Sequence, residues 1–153
     1  MELLGTRTLE AAPEKVWQAL FDREVLERAI PGCESLEQTC DTTFTAVVKL
    51  KIGPVSARFK GEVELSDIDP YKSCMLSGKG SGGIAGFAKG AARVVLDAEG
   101  GATVLNYTAD VAVGGKLAAL GNRLIASTAQ KLTDEFFENF TNALASEEGA
   151  IAT

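Results

Sequence analysis

No histidine occurs among the 153 residues, which removes the usual general base, metal ligand and physiological pH switch. The three cysteines, Cys33, Cys40 and Cys74, are odd in number and lack Cys-x-x-Cys spacing. Neither a disulfide framework nor a zinc knuckle fits them, and reduced, partly buried thiols are expected. Titratable groups gather only at Asp67, Asp69 and Tyr71, around the Asp69-Pro70 turn, and at Tyr107 and Asp110. Asp beside such a turn is ordinarily solvated, so nothing here demands an acid–base pair. Gly78-Lys79-Gly80-Ser81-Gly82-Gly83 matches G-x-G-x-x-G, but no helix opens at Gly83 and no strand–helix–strand unit surrounds it. Gly114-Gly115-Lys116 fails as a phosphate loop, because Leu117 stands in the hydroxyl position and Asp110 in the first glycine position. No catalytic residue and no metal ligand is assigned.

The remaining chemistry is charge. Fifteen Lys and Arg against 21 Asp and Glu give a net charge of −6, which excludes the broad basic footprint of a nucleic-acid binder. Lys49, Lys51, Arg58 and Lys60 nevertheless fall together on one face of a predicted hairpin. That local positive face is a candidate docking surface for an anionic lipid or an acidic partner. No segment approaches the roughly 18 consecutive apolar residues of a spanning helix, and no cationic stretch followed by an apolar run opens the chain, so a cytoplasmic protein is expected.

The elements that must position these residues follow from periodicity. Pro13 sets the first turn of a helix carrying Val16, Trp17, Leu20 and Phe21, and a second short helix over Glu24–Ala29 stops at Pro31-Gly32. From Phe44 to Ile52 the even positions are apolar, and from Val55 to Leu65 the odd ones are apolar or small. A two-residue loop at Gly53-Pro54 pairs Ile52 with Val55, Leu50 with Ala57, Val48 with Phe59, Ala46 with Gly61 and Phe44 with Val63. Both apolar sets then share a face, and Lys49 stands opposite Arg58. Further strands are predicted over Leu3–Glu10, Tyr71–Gly78, Ile84–Leu96 and Thr103–Val113. A long helix from Lys116 carries the stripe Leu117, Leu120, Leu124, Thr128, Leu132, Phe136, Phe140 and Leu144. Steps of four make that stripe drift around the helix, which suits a twisted antiparallel sheet wrapped about it in an α+β domain. Phe137, about 100° from Phe136, is placed either as an exposed hydrophobe or beneath the two short helices.

Positions in phase with Ile84, Val94 and Leu96 are Gly86, Ala88, Gly90 and Ala92, and Ala118, Ala119, Gly121 and Ala126 answer them. Side chains this small leave two outcomes: close backbone approach, or an internal cavity lined by larger apolar residues.

The segments Pro31-Gly32-Cys33, Lys51-Ile52-Gly53-Pro54-Val55 leading into Phe59-Lys60-Gly61, Gly86-Phe87-Ala88-Lys89-Gly90-Ala91, and Val113-Gly114-Gly115-Lys116-Leu117 with Gly121 closely resemble the carbon monoxide dehydrogenase G-subunit family. That family belongs to the START-like (SRPBCC) helix-grip superfamily, and the resemblance spans roughly Met1 to Ala145. It implies a curved antiparallel sheet around a C-terminal helix, with two short N-terminal helices and an internal apolar cavity. It further implies a non-enzymatic accessory role beside a molybdenum CO dehydrogenase-type oxidoreductase, recruitment of that enzyme to the inner face of the membrane, and a quinone or lipid in the cavity with no covalent cofactor. Expected lining residues, chosen as large apolar side chains on inferred inward faces, are Leu26, Ile30, Phe44, Val48, Phe59, Phe87, Tyr107, Leu124, Phe136 and Phe140. Residues 1–146 are expected to form the domain and 147–153 a short tail, with no C-terminal membrane-binding extension. A polyketide cyclase-like or hydrolase-like enzyme using Tyr107 with a carboxylate or a bound water is the alternative. A third reading is an assembly factor that acts only through its surface.

Overall fold

The alternation around Gly53-Pro54 becomes the hairpin of strands β3 (Thr43–Ile52) and β4 (Val55–Asp69), in the predicted register from Phe44↔Val63 to Ile52↔Val55, with Lys49↔Arg58 among its pairs. Gly53 supplies a φ of +58° at the turn, a conformation that costs glycine little. The computed structural model describes residues 1–152, with side chains through Ala145. Around the hairpin lie β1 (Glu2–Leu9), β2 (Cys33–Cys40), β5 (Ser73–Ser81), β6 (Phe87–Glu99) and β7 (Ala102–Gly114), in one open antiparallel sheet of order β1-β7-β6-β5-β4-β3-β2. Helices α1 (Pro13–Leu20) and α2 (Arg23–Ala29) follow β1, and α3 (Asn122–Ala152) closes the chain. Pro13 opens α1, and the Asp22 carboxylate caps α2 by accepting from the Glu24 N–H at 2.9 Å.

Several boundaries differ from the periodicity, each for a local reason. Strand β2 has no counterpart in the periodicity because it is a sheet edge with only Leu36 buried, so it carries no alternation to read. Strand β6 begins at Phe87 rather than Ile84, since Gly83–Ala85 form a 3-10 turn between glycines at φ +63° and +116°. Helix α3 begins at Asn122 rather than Lys116. Gly115 and Gly121 adopt φ of +69° and +92°, and Ala118–Leu120 form a separate 3-10 turn. Its other end continues to Ala152, so residues 147–152 extend the helix instead of forming a distinct tail, and Thr153 lies outside the described residues.

Apolar burial divides into two clusters. The larger joins α1 and α2 to one end of the sheet and α3 through Leu9, Val16, Val25, Phe44, Leu105 and Phe140. The smaller gathers Ile52, Phe59, Ala85, Leu117 and Ile125 where the β3–β4 hairpin, the β5–β6 turn and the start of α3 meet.

Candidate functional site

Between the two clusters the inner face of the sheet carries Gly78, Gly80, Ala88, Gly90, Ala92 and Ala109, together with Val63 and Val111. Helix α3 faces them with Leu124 and Leu132. Val63, Ala88, Ala92, Ala109, Val111, Leu124 and Leu132 are all half-buried and pack against neither cluster. Inward-facing apolar side chains that neither core buries are where a space between sheet and helix would open. The undersized residues of β5 and β6 thus put no bulky side chain between sheet and helix along the middle of the molecule. A Cβ built on Gly78 or Gly80 would have only β4 atoms, and none of α3, within 4 Å.

The large residues expected to line this space are mostly elsewhere. Phe44 and Phe140 are 2% and 0% exposed and form the packed main core, with Leu26, Ile30 and Phe136 against it. Tyr107 is in that core too. Its ring lies over Gly5, where any Cβ would collide with it, and stacks on Phe137 with centroids 5.5 Å apart. Phe137 is thereby half-buried against the sheet rather than exposed or under the short helices. The Arg7 guanidinium sits over the Phe137 ring, 5.3 Å from its centroid, while pairing with Asp134. Val48 and Phe59 belong to the smaller cluster. Leu124, half-buried, belongs to neither cluster, and its side chain reaches toward Gly53. Phe87 points the opposite way. It is 50% exposed on the outer face, its ring laid on Gly114, the residue paired with it across the ladder. Sequence reasoning selects bulk, whereas a hollow is bordered by what is small; the alternating Gly and Ala of β5 and β6 are the usable signal.

The carboxylates that could have served an enzyme stay on the surface. Asp67 and Asp69 are exposed at the end of β4, and exposed Asp110 faces the Met1 amine at 3.4 Å. Among the described residues no group of three His, Cys, Asp or Glu could hold a metal ion. The G-x-G-x-x-G run lies in β5 and the 3-10 turn, not at a helix N-terminus.

On the outer face Lys49, Lys51, Arg58 and Lys60 are all exposed, as their alternation requires. Arg58 relieves its opposition to Lys49 by pairing with Glu34 of β2 at 2.7 Å. The sheet adds Lys79 and Lys89, which stand directly opposite each other on β5 and β6. Sequence periodicity could not join these to the hairpin cations without the strand order.

The thiols differ in environment. Burial pushes Cys74 above the ordinary thiol value, while hydrogen bonds, first from the Thr43 side chain and then from Thr42, hold the exposed Cys40 below it. Only the thiolate reacts, so Cys40 gains both access and ionised fraction. Iodoacetamide followed by peptide mass mapping is expected to label Cys40 first and Cys74 last, by about tenfold or more in rate; equal labelling of the native protein would contradict this.

A seven-stranded antiparallel sheet gripping a long C-terminal helix, with two short helices after the first strand, defines a START-like helix-grip domain. Solved structures share it. A conserved protein from Geobacillus kaustophilus is similar at a TM-score of 0.89 and 31% identity, over 95% of this chain and 96% of that one. A protein from Thermus thermophilus gives 0.70 and 18%, over 96% and 99%. The Zhui aromatase/cyclase from Streptomyces gives 0.66 and 18%, over 95% and 93%; likenesses at this identity speak for the fold alone. A comparison with curated proteins gave no match. The family model for the G subunit of carbon monoxide dehydrogenase (CoxG) matches residues 5–145. The chain belongs to this CoxG family.

Proposed function

We propose that this domain is a non-enzymatic accessory protein that holds an apolar guest, a quinone or another isoprenoid or lipid, between sheet and helix. In this reading it assists a molybdenum CO dehydrogenase-type oxidoreductase at the cytoplasmic face of the membrane. The observation that carries the guest is the band of half-buried inward apolar residues, Val63, Ala92, Ala109, Val111 and Leu132, that packs against neither core cluster. A space bordered by aliphatic side chains and offering no ionised group suits a neutral, oily molecule. The family's name supplies the association with CO dehydrogenase, and the exposed cations Lys49, Lys51, Arg58 and Lys60 offer a surface for it. No helix among the described residues is long and apolar enough to cross a membrane, so contact with lipid in this reading is peripheral. The cyclase-like alternative finds less support in the geometry. Tyr107 is wedged between Gly5 and Phe137, and Asp134, the carboxylate beside that stack, is already paired with Arg7.

Native mass spectrometry and solvent extraction of protein purified from its source are expected to show a bound apolar molecule. Added quinone at 100 times its Kd is expected to stabilise the fold by about 2.7 kcal/mol, roughly 5–10 °C in melting temperature for a domain of this size. Repeated absence of both signals overturns the carrier reading.

A further inference from the structure

The outer face of the sheet bears a groove of about 720 Å³ that owes nothing to helix α3. Lys60, Lys79 and Lys89 stand around it, Val47 and Phe87 give it apolar surface, and Glu37 and Glu62 mark the side away from the hairpin tip. Three features set this groove apart from ordinary solvated surface. Lys79 opposes Lys89 on one side and Glu62 on the other, and next to the groove Lys49 opposes Arg58, whose charge Glu34 takes up, so Lys89 and Lys49 each face a like charge with no carboxylate directly opposite them. Among the described residues Lys49, Lys60, Lys79 and Lys89 make no ion pair; Arg58 alone of these cations finds one. The groove lining holds Lys60, Lys79 and Lys89 against Glu37 and Glu62, and Lys49, Lys51 and Arg58 flank it, a local cationic excess within a chain of net charge −6. The aromatic is also fixed: Phe87 is half exposed because its ring rests on Gly114, where a Cβ would collide with it. Three residues earlier Ile84 is 85% exposed at the turn. Half-exposed aromatic surface held rigid among unpaired cations is how a protein interface anchors a partner.

We propose that this groove is a docking site for an acidic segment of a partner protein, its carboxylates on the lysines and an apolar side chain on Phe87. The concavity favours a protein segment over a bilayer, because a flat lipid surface would rest on the rim and leave the floor empty. A ring lying flat on backbone is likewise a platform rather than a wedge for insertion. Glu37 and Glu62 repel acid at the far side, so the carboxylates of the segment belong on the side toward Lys49 and Arg58. This inference rests on the partner half of the proposed function and not on the interior guest.

The test titrates the full chain with a short fluorescein-labelled peptide rich in Glu with Leu interspersed, alongside its Lys-for-Glu counterpart and vesicles of phosphatidylglycerol in phosphatidylcholine. The Glu peptide is expected to bind, more weakly as salt rises, and the Lys peptide not to bind. Lys60→Glu with Lys79→Glu should weaken binding about tenfold or more and flatten the salt dependence, and Phe87→Ala about tenfold with the salt dependence kept. Lys15→Glu and Arg28→Glu, on α1 and α2, should leave binding unchanged. All these positions are surface ones, and an unchanged melting temperature together with an unchanged response to quinone separates loss of docking from loss of fold or of guest binding. Absence of peptide binding, binding indifferent to the groove variants, or lysine-dependent retention on vesicles without peptide binding would each overturn the proposal.

Discussion

Replacing Ala92 with leucine is expected to leave the fold as stable as before, or to stabilise it by about 1–2 kcal/mol, while weakening binding of an apolar guest at least tenfold. The sign is what matters. Ala92 faces inward between Leu76 and Ala109 and is half-buried, outside both core clusters. Were the backbones of sheet and helix in close contact there, three added carbons would be forced into filled space at a cost of about 1–3 kcal/mol. A hollow accepts them and converts part of its wall into core. The urea midpoint of the unliganded protein reads the stability, and a quinone titration reads the guest. Ala109→Leu, directly across the ladder, should behave alike and add to the effect. A clear loss of stability in both variants would mean that the small residues serve contact, and the carrier reading would fall.

Truncating Phe140 to alanine is expected to cost about 3–5 kcal/mol, a large part of the total stability of a domain this size. Its side chain is fully buried, stacks on Phe136 with centroids 5.8 Å apart, and ties α3 to the core beneath α1 and α2. Leu132→Ala, two turns earlier on the same stripe, should cost about 1 kcal/mol, because its half-buried side chain has little packing to lose. Denaturant unfolding of the two variants measures the contrast directly. Equal losses would show that the interior is uniformly packed from Leu132 to Phe140.

The hairpin is fully legible because two alternating runs of opposite phase admit one register, and every predicted pair from Phe44↔Val63 to Ile52↔Val55 is present. The long helix is legible as a stripe, yet its start is not. Leu117 and Leu120 keep helical spacing while glycines at positive φ place them in a separate turn, and Leu117 seals the smaller cluster. Phe87 misleads by its size. Large apolar residues are usually core, but its strand partner is Gly114, and that pairing lets the ring lie on the outside. Of the expected lining, Phe44, Phe140 and Tyr107 are large enough to fill space and are packed in the main core.

Amino-acid order alone determined the α+β class, the hairpin register, the family and the absence of histidine chemistry, because each rests on local period, residue type or contiguous motif. Only the tertiary structure decided that Lys79 and Lys89 join the hairpin cations, that the core splits in two, and that half-buried valines, alanines and Leu132 lie between its halves. Those outcomes depend on which strands become neighbours and where a straight helix leaves a coiled sheet, and neither is encoded in any single stretch of chain.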